Sequence, residues 1–158
     1  MIRDMIQSLV LGCGPAWPRR PITHSETHLD RLAFPGVDVV HDLNVAPWPF
    51  EDDTFDEVVA VHLVEHLQSL LSFMDEAWRV LKPGGCLYIV TPEAGGDIDL
   101  THADPTHVRC YRRHTFINYF TRSEGPKFGY TDKFWAILDL RVERHCICLL
   151  ASTIKESP

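Results

Sequence analysis

Glycines and aspartates follow the ends of apolar segments in the first third of the chain. Gly12-Cys13-Gly14 comes directly after an apolar run, and Asp30 and Asp42 follow the next two short segments of strand-like composition. Glycines at the carboxyl end of a first strand let a ligand approach the backbone. A carboxylate at the first acidic position can accept hydrogen bonds from both ribose hydroxyls, and one at the second can accept from an adenine amino group. Together these residues predict a site for a nucleoside-containing ligand.

The residues after this turn argue against a pyrophosphate ligand. A dinucleotide fingerprint requires a third glycine and a helix whose N-terminus receives the phosphates. Here Pro15-Ala16-Trp17-Pro18 follows instead. The expected ligand is therefore a nucleoside derivative without phosphates.

A second reactive pattern is His62-x-x-Glu65-His66. In zinc hydrolases with this spacing both histidines lie on one helix and bind the metal, while the glutamate is the base. The apolar run 55–61, however, predicts a strand that leads directly into His62, with a helix beginning after it. Glu65 is then expected to be a first-turn acid stabilised by the helix dipole. The sequence therefore predicts no metal site, and a zinc hydrolase is the less favoured alternative.

Strand and helix patterns alternate along the chain, which predicts a parallel, doubly wound sheet. Helical spacing of apolar residues predicts a helix over 64–81 and a short one over 115–120, separated by an active-site loop over 93–114. Two β-rich segments close the chain. The expected strands are 6–11, 27–30, 37–40, 55–61, 86–90, 134–142 and 146–154.

The composition is that of one ordinary globular domain, which we expect to span 1–158. The chain is 45% hydrophobic and 23% charged, which excludes disordered and fibrous classes. A net charge of −7 argues against nucleic-acid binding through a broad basic surface. No apolar run reaches the roughly 20 residues of a membrane span, so no membrane association is expected. Five cysteines, an odd number without zinc-ribbon spacing, predict a reducing compartment, most simply the cytoplasm.

Six segments form a larger pattern: LVLGCG (9–14), VDVVHDLN (37–44), PWPFEDDTFDEVV (47–59), HLVEHL (62–67), RVLKPGG (79–85) and DPTH (104–107). In order and spacing they resemble the class I S-adenosylmethionine-dependent methyltransferase family, in particular its small type 11 members. The resemblance runs from about residue 6 to residue 120. It implies an α/β fold, a Rossmann-like, mostly parallel seven-stranded sheet with a C-terminal antiparallel strand pair. It also implies S-adenosyl-L-methionine as cofactor and S-adenosyl-L-homocysteine as product.

The same resemblance assigns residues to the cofactor. Gly12, Cys13 and Gly14 would hold its methionine part and Asp30 its ribose. Asp42 with Leu43 would bind the adenine, and His62 would lie beside the methionine and the transferable methyl group.

The chain departs from the family pattern at two places. Val10 stands where many relatives carry an acid or amide, so one polar contact near the cofactor's amine is absent. Prolines at positions 15, 18 and 21 are incompatible with a regular first helix, so we expect the first crossover helix to be shortened or missing.

Histidines in the loop are the candidates for proton transfer. Methyl transfer needs a base only when the acceptor must lose a proton, and a histidine titrates near neutral pH. His107, within the family-like DPTH segment, is the first candidate and His102 the second; His107 could equally serve only to hydrogen-bond the loop. The sequence thus predicts methyl transfer to a small-molecule acceptor bound beneath residues 93–120. A binding module that holds the cofactor without catalysis is the alternative.

Overall fold

Seven strands form one sheet in the computed structural model, which describes residues 5–15, 24–95 and 102–155. Their order is β3-β2-β1-β4-β5-β7-β6. The first five strands along the chain are parallel, and β7 runs antiparallel to both β5 and β6. The predicted mostly parallel sheet with an antiparallel C-terminal pair is therefore confirmed. The strands are β1 (Ile6–Leu11), β2 (His24–Asp30), β3 (Val39–Val40), β4 (Phe55–Val61), β5 (Leu81–Pro92), β6 (Phe134–Glu143) and β7 (Cys146–Ile154).

The strand order reverses at β1, which lies between β2 and β4. Leu11, the last residue of β1, pairs with Leu29 of β2 and with Ala60 of β4. The carboxyl ends of the three strands therefore meet at one edge of the sheet, and the loops that leave them diverge. Open α/β sheets bind ligands in the crevice that this divergence creates.

The predicted helix over 64–81 is wrong in its first turns. A 3-10 turn spans Val64–His66, and the helix α1 begins only at Leu70 and ends at Val80. The chain is extended at Leu67, and the backbone N–H of Gln68 donates to Asn44 Oδ1 at 2.8 Å. Because this bond directs the Gln68 amide toward a neighbouring loop, a continuous helix cannot form there.

The second helix, α2 (Arg113–Phe120), begins two residues before the predicted 115–120, and a further 3-10 turn spans Gly125–Lys127. No helix among the residues that the structure describes is long and apolar enough to cross a bilayer.

Several predicted strand limits shift for local reasons. β3 begins at Val39 because the side chain of Asp38 interrupts the regular strand pairing. The Asp38 carboxylate accepts from the His28 N–H at 2.8 Å, and the Asp38 N–H donates to the His28 carbonyl. β5 begins at Leu81 because Thr153 of β7 bonds the turn before residue 86; its hydroxyl accepts from the Gly84 N–H and donates to the Lys82 carbonyl.

The predicted loss of the first crossover helix falls mostly on residues 16–23. These lie outside the described residues.

One hydrophobic core joins α1 to one face of the sheet. Alternate residues of β1, β4, β5 and β7 point into it, as strand geometry requires. Large side chains from α1 and from the loops complete it. Members with almost no exposure include Leu9, Leu11, Val58, Ala60, Leu87, Ile89, Phe73, Met74, Phe116 and Trp135. The strand ends that carry the candidate ligand-binding residues are therefore fixed to a rigid base.

A polar clamp holds the connection before β4 against α1. Glu76 accepts a bond from the Trp48 N–H at 2.6 Å, and Arg79 donates to the carbonyls of Trp48 and Phe50. Burial by itself raises the pKa of the Glu76 carboxyl, but hydrogen bonds from Arg79 and from the Trp48 backbone outweigh it, so the net pKa is lowered. The clamp is therefore strongest when Glu76 is ionised.

Candidate functional site

A cavity of about 360 Å³ opens at the carboxyl ends of β1, β2 and β3. Four residues singled out from the sequence line it together: Gly12, Asp30, Asp42 and Leu43. We call it the glycine cavity. Its remaining walls include Arg31, His41, Asn44, Leu63, His66, Leu67 and Thr106. Its volume lies within the range of small-molecule sites.

The turn after β1 brings the backbone to the cavity. Gly12 has a φ of +61°, and a Cβ built on it would lie 2.8 Å from Leu63 Cδ1, another wall of the cavity. Gly14 has a φ of +59°, and no heavy atom of the described residues beyond its chain neighbours lies within 4 Å of the place where its Cβ would stand. Both positions require the left-handed backbone that glycine adopts readily. Cys13 between them is buried.

Asp30 is held firmly at the end of β2. It is only 8% exposed, and its two carboxylate oxygens accept from the N–H groups of Gly14 and Leu32, both at 3.0 Å. A carboxylate offers about four acceptor positions, so each oxygen can accept a further bond from a ligand hydroxyl. Asp30 thus links the glycine turn to the second strand.

Asp42, Leu43 and Asn44 form the opposite wall. Asp42 is exposed, and its Oδ1 accepts from the backbone and the side chain of Asn44 at 2.9 and 3.0 Å. Leu43 is buried and contributes an apolar surface. An ionised acceptor beside an apolar side chain suits a flat heterocycle that carries an amino group.

A second, more open depression adjoins the glycine cavity. We call it the histidine hollow; its lining includes His62, Glu65, His66, Asp104, Pro105 and His107. His66 lines both spaces. Thr106 lines the glycine cavity, while its neighbours in the sequence, Pro105 and His107, line the hollow. Of the cofactor residues predicted from the resemblance, His62 therefore lies on the hollow, at the boundary of the cavity rather than inside it.

The structure does not have the geometry of an H-x-x-E-H zinc hydrolase. His62 lies on a bend after β4 with a φ of +51°, and His66 ends a 3-10 turn, so the two imidazoles do not share one helix face. The dipole role expected for Glu65 is also wrong, because a three-residue turn has almost no dipole. Glu65 is instead a buried acid whose Oε2 accepts from the Thr91 hydroxyl at 3.0 Å.

A tight turn positions His107. Asp104 accepts from the N–H and the hydroxyl of Thr106, and its carbonyl accepts from the His107 N–H at 3.2 Å. Those bonds from Thr106 lower the pKa of the Asp104 carboxyl, and the nearby imidazoles of His107 and His66 lower it further. The rings of His107 and His66 meet edge to face, 4.7 Å between centroids.

The second candidate base lies elsewhere. His102 is exposed, with its Nε2 3.8 Å from Cys110 Sγ, and it is not among the described residues that line the cavity or the hollow. Tyr111 is also unsuited to proton abstraction: burial raises its pKa to about 12, and its hydroxyl donates to the Val64 carbonyl.

Sequence reasoning missed several walls of the two spaces. Asn44 and Thr106 are adjacent in sequence to the selected residues Leu43 and His107, and this adjacency was the one signal that could have identified them. His66 and Leu67 belong to the family-like segment HLVEHL, but the sequence analysis assigned neither of them to the ligand site. Their placement depends on the break between the 3-10 turn and α1, which no local pattern announced.

Several known proteins similar to this chain are methyltransferases. The family described as methyltransferase domain matches residues 9–89. A probable S-adenosylmethionine-dependent methyltransferase of Mycolicibacterium smegmatis is 40% identical over 62 residues, which cover 39% of this chain and 24% of that protein. Botryococcene C-methyltransferase of Botryococcus braunii is 28% identical over 127 residues, covering 69% and 33%. The match therefore spans a quarter to a third of these relatives' lengths.

The fold also has solved counterparts. A SAM-dependent methyltransferase from Methanosarcina mazei superimposes with a TM-score of 0.68 at 16% sequence identity, covering 98% of this chain and 95% of that one. At this identity the likeness concerns the fold, and it confirms the Rossmann-like architecture predicted from the sequence.

Proposed function

The chain belongs to the methyltransferase domain family, and from this premise we propose that it transfers a methyl group from S-adenosylmethionine to a small-molecule acceptor. The observation that carries the proposal is the glycine cavity at the switch point of the sheet. It gathers Gly12, Asp30, Asp42 and Leu43 around one space of about 360 Å³.

The residues present suit the cofactor. The positive φ of Gly12 brings the backbone to the cavity wall, and the N–H of Gly14 donates to Asp30, which also lines the cavity. Asp30 keeps acceptor capacity on both oxygens for the ribose hydroxyls, and Asp42 beside Leu43 suits the adenine. Val10 is 1% exposed within β1 and adds no hydrogen bond. We therefore expect this departure from the family to reduce affinity without changing the ligand.

S-Adenosylmethionine supplies an electrophilic methyl group. A bond would form between the acceptor atom and the methyl carbon as the methyl–sulfur bond breaks, and the electron pair of the broken bond would stay on sulfur in S-adenosylhomocysteine. An acceptor that carries an acidic proton would give that proton to a base. The chain's own contribution is to hold two ligands in line, which supplies much of the acceleration in such displacements. The cavity would hold the cofactor and the hollow the acceptor, with the boundary at His66.

The acceptor proton is assigned to the imidazoles of the hollow. His107 lines it with His62, and the turn held by Asp104 fixes the His107 backbone. His102 lies outside both spaces, so His107 is the preferred candidate in this proposal.

Titration calorimetry with S-adenosylhomocysteine tests the cofactor assignment. We expect one site per chain and loss of binding in Asp30→Ala, while the exposed Asp132→Ala serves as a matched control for the loss of a carboxylate. Absence of binding of either S-adenosylmethionine or S-adenosylhomocysteine at millimolar concentration would contradict the assignment.

Turnover is tested separately. The chain is incubated with S-adenosylmethionine and a panel of small hydroxyl, amine and carbon acids, and S-adenosylhomocysteine is quantified by mass spectrometry. Acceptor-dependent formation of S-adenosylhomocysteine supports the enzyme. Tight binding without turnover on any acceptor favours the non-catalytic binding module.

A further inference from the structure

Three side chains in the histidine hollow present metal-binding atoms to one another. One ligand atom each from Glu65, His66 and His107 lies within 4.8 Å of the other two. Glu65 is buried and both histidines are half-buried. The members come from a 3-10 turn and from a loop 40 residues away in sequence, so tertiary structure alone brings them together.

One oxygen of the Glu65 carboxylate receives no hydrogen bond from the described part of the chain. Glu65 is 2% exposed; its Oε2 accepts from the Thr91 hydroxyl, while its Oε1 is buried and has no hydrogen-bond partner among the residues that the structure describes. His62 Nδ1 lies 3.4 Å from Oε1, on a side chain that is 53% exposed. A buried carboxylate oxygen is costly unless a charge or a metal compensates it.

Second contacts hold two of the ligands in place. His66 Nδ1 lies 3.0 Å from the Thr106 hydroxyl and 3.3 Å from the Thr106 carbonyl, which leaves Nε2 for another partner. The Glu65 carbonyl accepts from the N–H groups of Val108 and Arg109, so the two loops are fixed to each other. Metal-binding imidazoles commonly bond their other ring nitrogen to such groups, which sets the tautomer and the ring orientation.

We propose that Glu65, His66 and His107 bind a divalent transition-metal ion in the histidine hollow. Two imidazoles and a carboxylate suit Zn²⁺, Fe²⁺ or Co²⁺, whereas Mg²⁺ prefers oxygen ligands. The sequence predicts no metal site, and the proposed site departs from that prediction. It also differs from the zinc-hydrolase pattern, because Glu65 is a ligand here and the second histidine is His107.

A modest closure completes the site. Ligand atoms about 2.1 Å from one ion lie roughly 3 to 3.5 Å apart, so ligand atoms that are now as far as 4.8 Å apart must approach by roughly 1 to 2 Å. The half-buried imidazoles of His66 and His107 can make this movement by rotation. Three protein ligands leave a coordination position toward the open hollow.

The role of the ion rests on the proposed function, but its binding does not. A bound ion can hold an acceptor hydroxyl at its open coordination position and lower the pKa of that hydroxyl. The proton then passes to water or to His62, which also lines the hollow, and His107 acts as a metal ligand instead of as the base. The acceptor class would then be one that offers a hydroxyl oxygen. Metal binding is measurable without cofactor or acceptor, so failure of the site and failure of the proposed function give different results.

The test uses the full chain, freed of metal by chelation, and titrates Co²⁺ while recording its visible absorption. We expect one equivalent with an intensified spectrum typical of fewer than six ligands, displaced by Zn²⁺ but not by millimolar Mg²⁺. Glu65→Gln and His107→Ala should each weaken binding by roughly 100-fold or more, and Thr106→Ala by about 10-fold. His114→Ala, which removes an exposed imidazole on α2, is the matched control.

Two outcomes would overturn the proposal. One is the absence of any saturable Co²⁺ or Zn²⁺ binding by the folded chain, which would mean that neighbours such as His62 and Thr91 suffice to hold the Glu65 carboxylate. The other is equal binding by the wild type, His107→Ala and His114→Ala, which would place the ion elsewhere. Because Glu65 is buried, circular dichroism must show that Glu65→Gln folds; His107→Ala lies in the loop and tests the site independently.

Discussion

The glycine cavity and the histidine hollow share a wall but are built differently. The cavity rests on strand ends: Gly12 follows β1 and its N–H donates to the carbonyl of Leu29 in β2, while Asp30 ends β2. The hollow rests on a bend, a 3-10 turn and a loop, in which the turn that carries His107 is held by the Asp104 carboxylate and by one backbone bond. Regular strands fix ligand positions by main-chain pairing, whereas the hollow depends on individual side chains. A cofactor site is therefore expected to tolerate less change than the acceptor site beside it.

The largest expected effect separates the two spaces directly. Asp30→Ala should weaken S-adenosylhomocysteine binding by about 100-fold, because it removes two bonds to an ionised acceptor and releases the Gly14 turn. His107→Ala should leave that affinity within about twofold. Calorimetry on both variants checks the contrast, and equal losses would show that cavity and hollow form a single site.

The clamp beneath the cavity gives the next effect. Glu76→Gln should lower the free energy of unfolding by about 2 kcal/mol at pH 7, since it weakens charge-assisted bonds to Arg79 and Trp48. The lowered pKa of Glu76 means that this stabilisation is present above the unfolded value of about 4.3 and is lost as pH falls through the folded value.

Urea unfolding at pH 7 and in steps below pH 4.3 measures both quantities. The variant should be less stable at pH 7, and its difference from the wild type should shrink in acid. A constant difference at every pH would exclude ionised Glu76 as the cause.

A pair of glycine substitutions distinguishes backbone strain from ligand contact. Gly12→Ala and Gly36→Ala should each destabilise the fold by about 1 kcal/mol, because both residues have a positive φ. Only Gly12→Ala should also weaken S-adenosylhomocysteine binding, because its Cβ would displace Leu63 in the cavity wall. Unfolding and calorimetry of both variants test this, and equal affinities would remove Gly12 from the ligand site.

The smallest effect concerns Tyr111, a buried side chain that bonds the 3-10 turn at Val64. Tyr111→Phe should cost about 1 kcal/mol, the value of its one hydrogen bond to the Val64 carbonyl. Ultraviolet titration of the wild type should show one tyrosine with a pKa near 12 that is absent from the variant. If no such tyrosine is lost, burial does not hold Tyr111 neutral.

Much of the sheet was predictable because its signals are local. The apolar runs of β1, β4 and β7 are followed in the chain by turn residues, and their bounds match the prediction at 6–11, 55–61 and 146–154. Other ends were not predictable, since distant bonds set them. The Gly84 N–H donates to Thr153 of β7, which holds the turn at the start of β5 against the sheet. The Gln68 N–H donates to Asn44, so the helix does not extend back through this residue.

The same division holds for the candidate site. By itself the sequence determined the fold class and the grouping of Gly12, Asp30 and Asp42, because residues that end parallel strands must meet at one edge of the sheet. Leu43 was added to this group by the resemblance to the family. Only the tertiary structure decided the histidine hollow, where His107 meets Glu65 and His66 and where Glu65 becomes a buried acid. No periodicity in the sequence predicts that His107 lies beside Glu65 and His66. This proximity results from two irregular loops whose bonds to each other are formed only when the chain is folded.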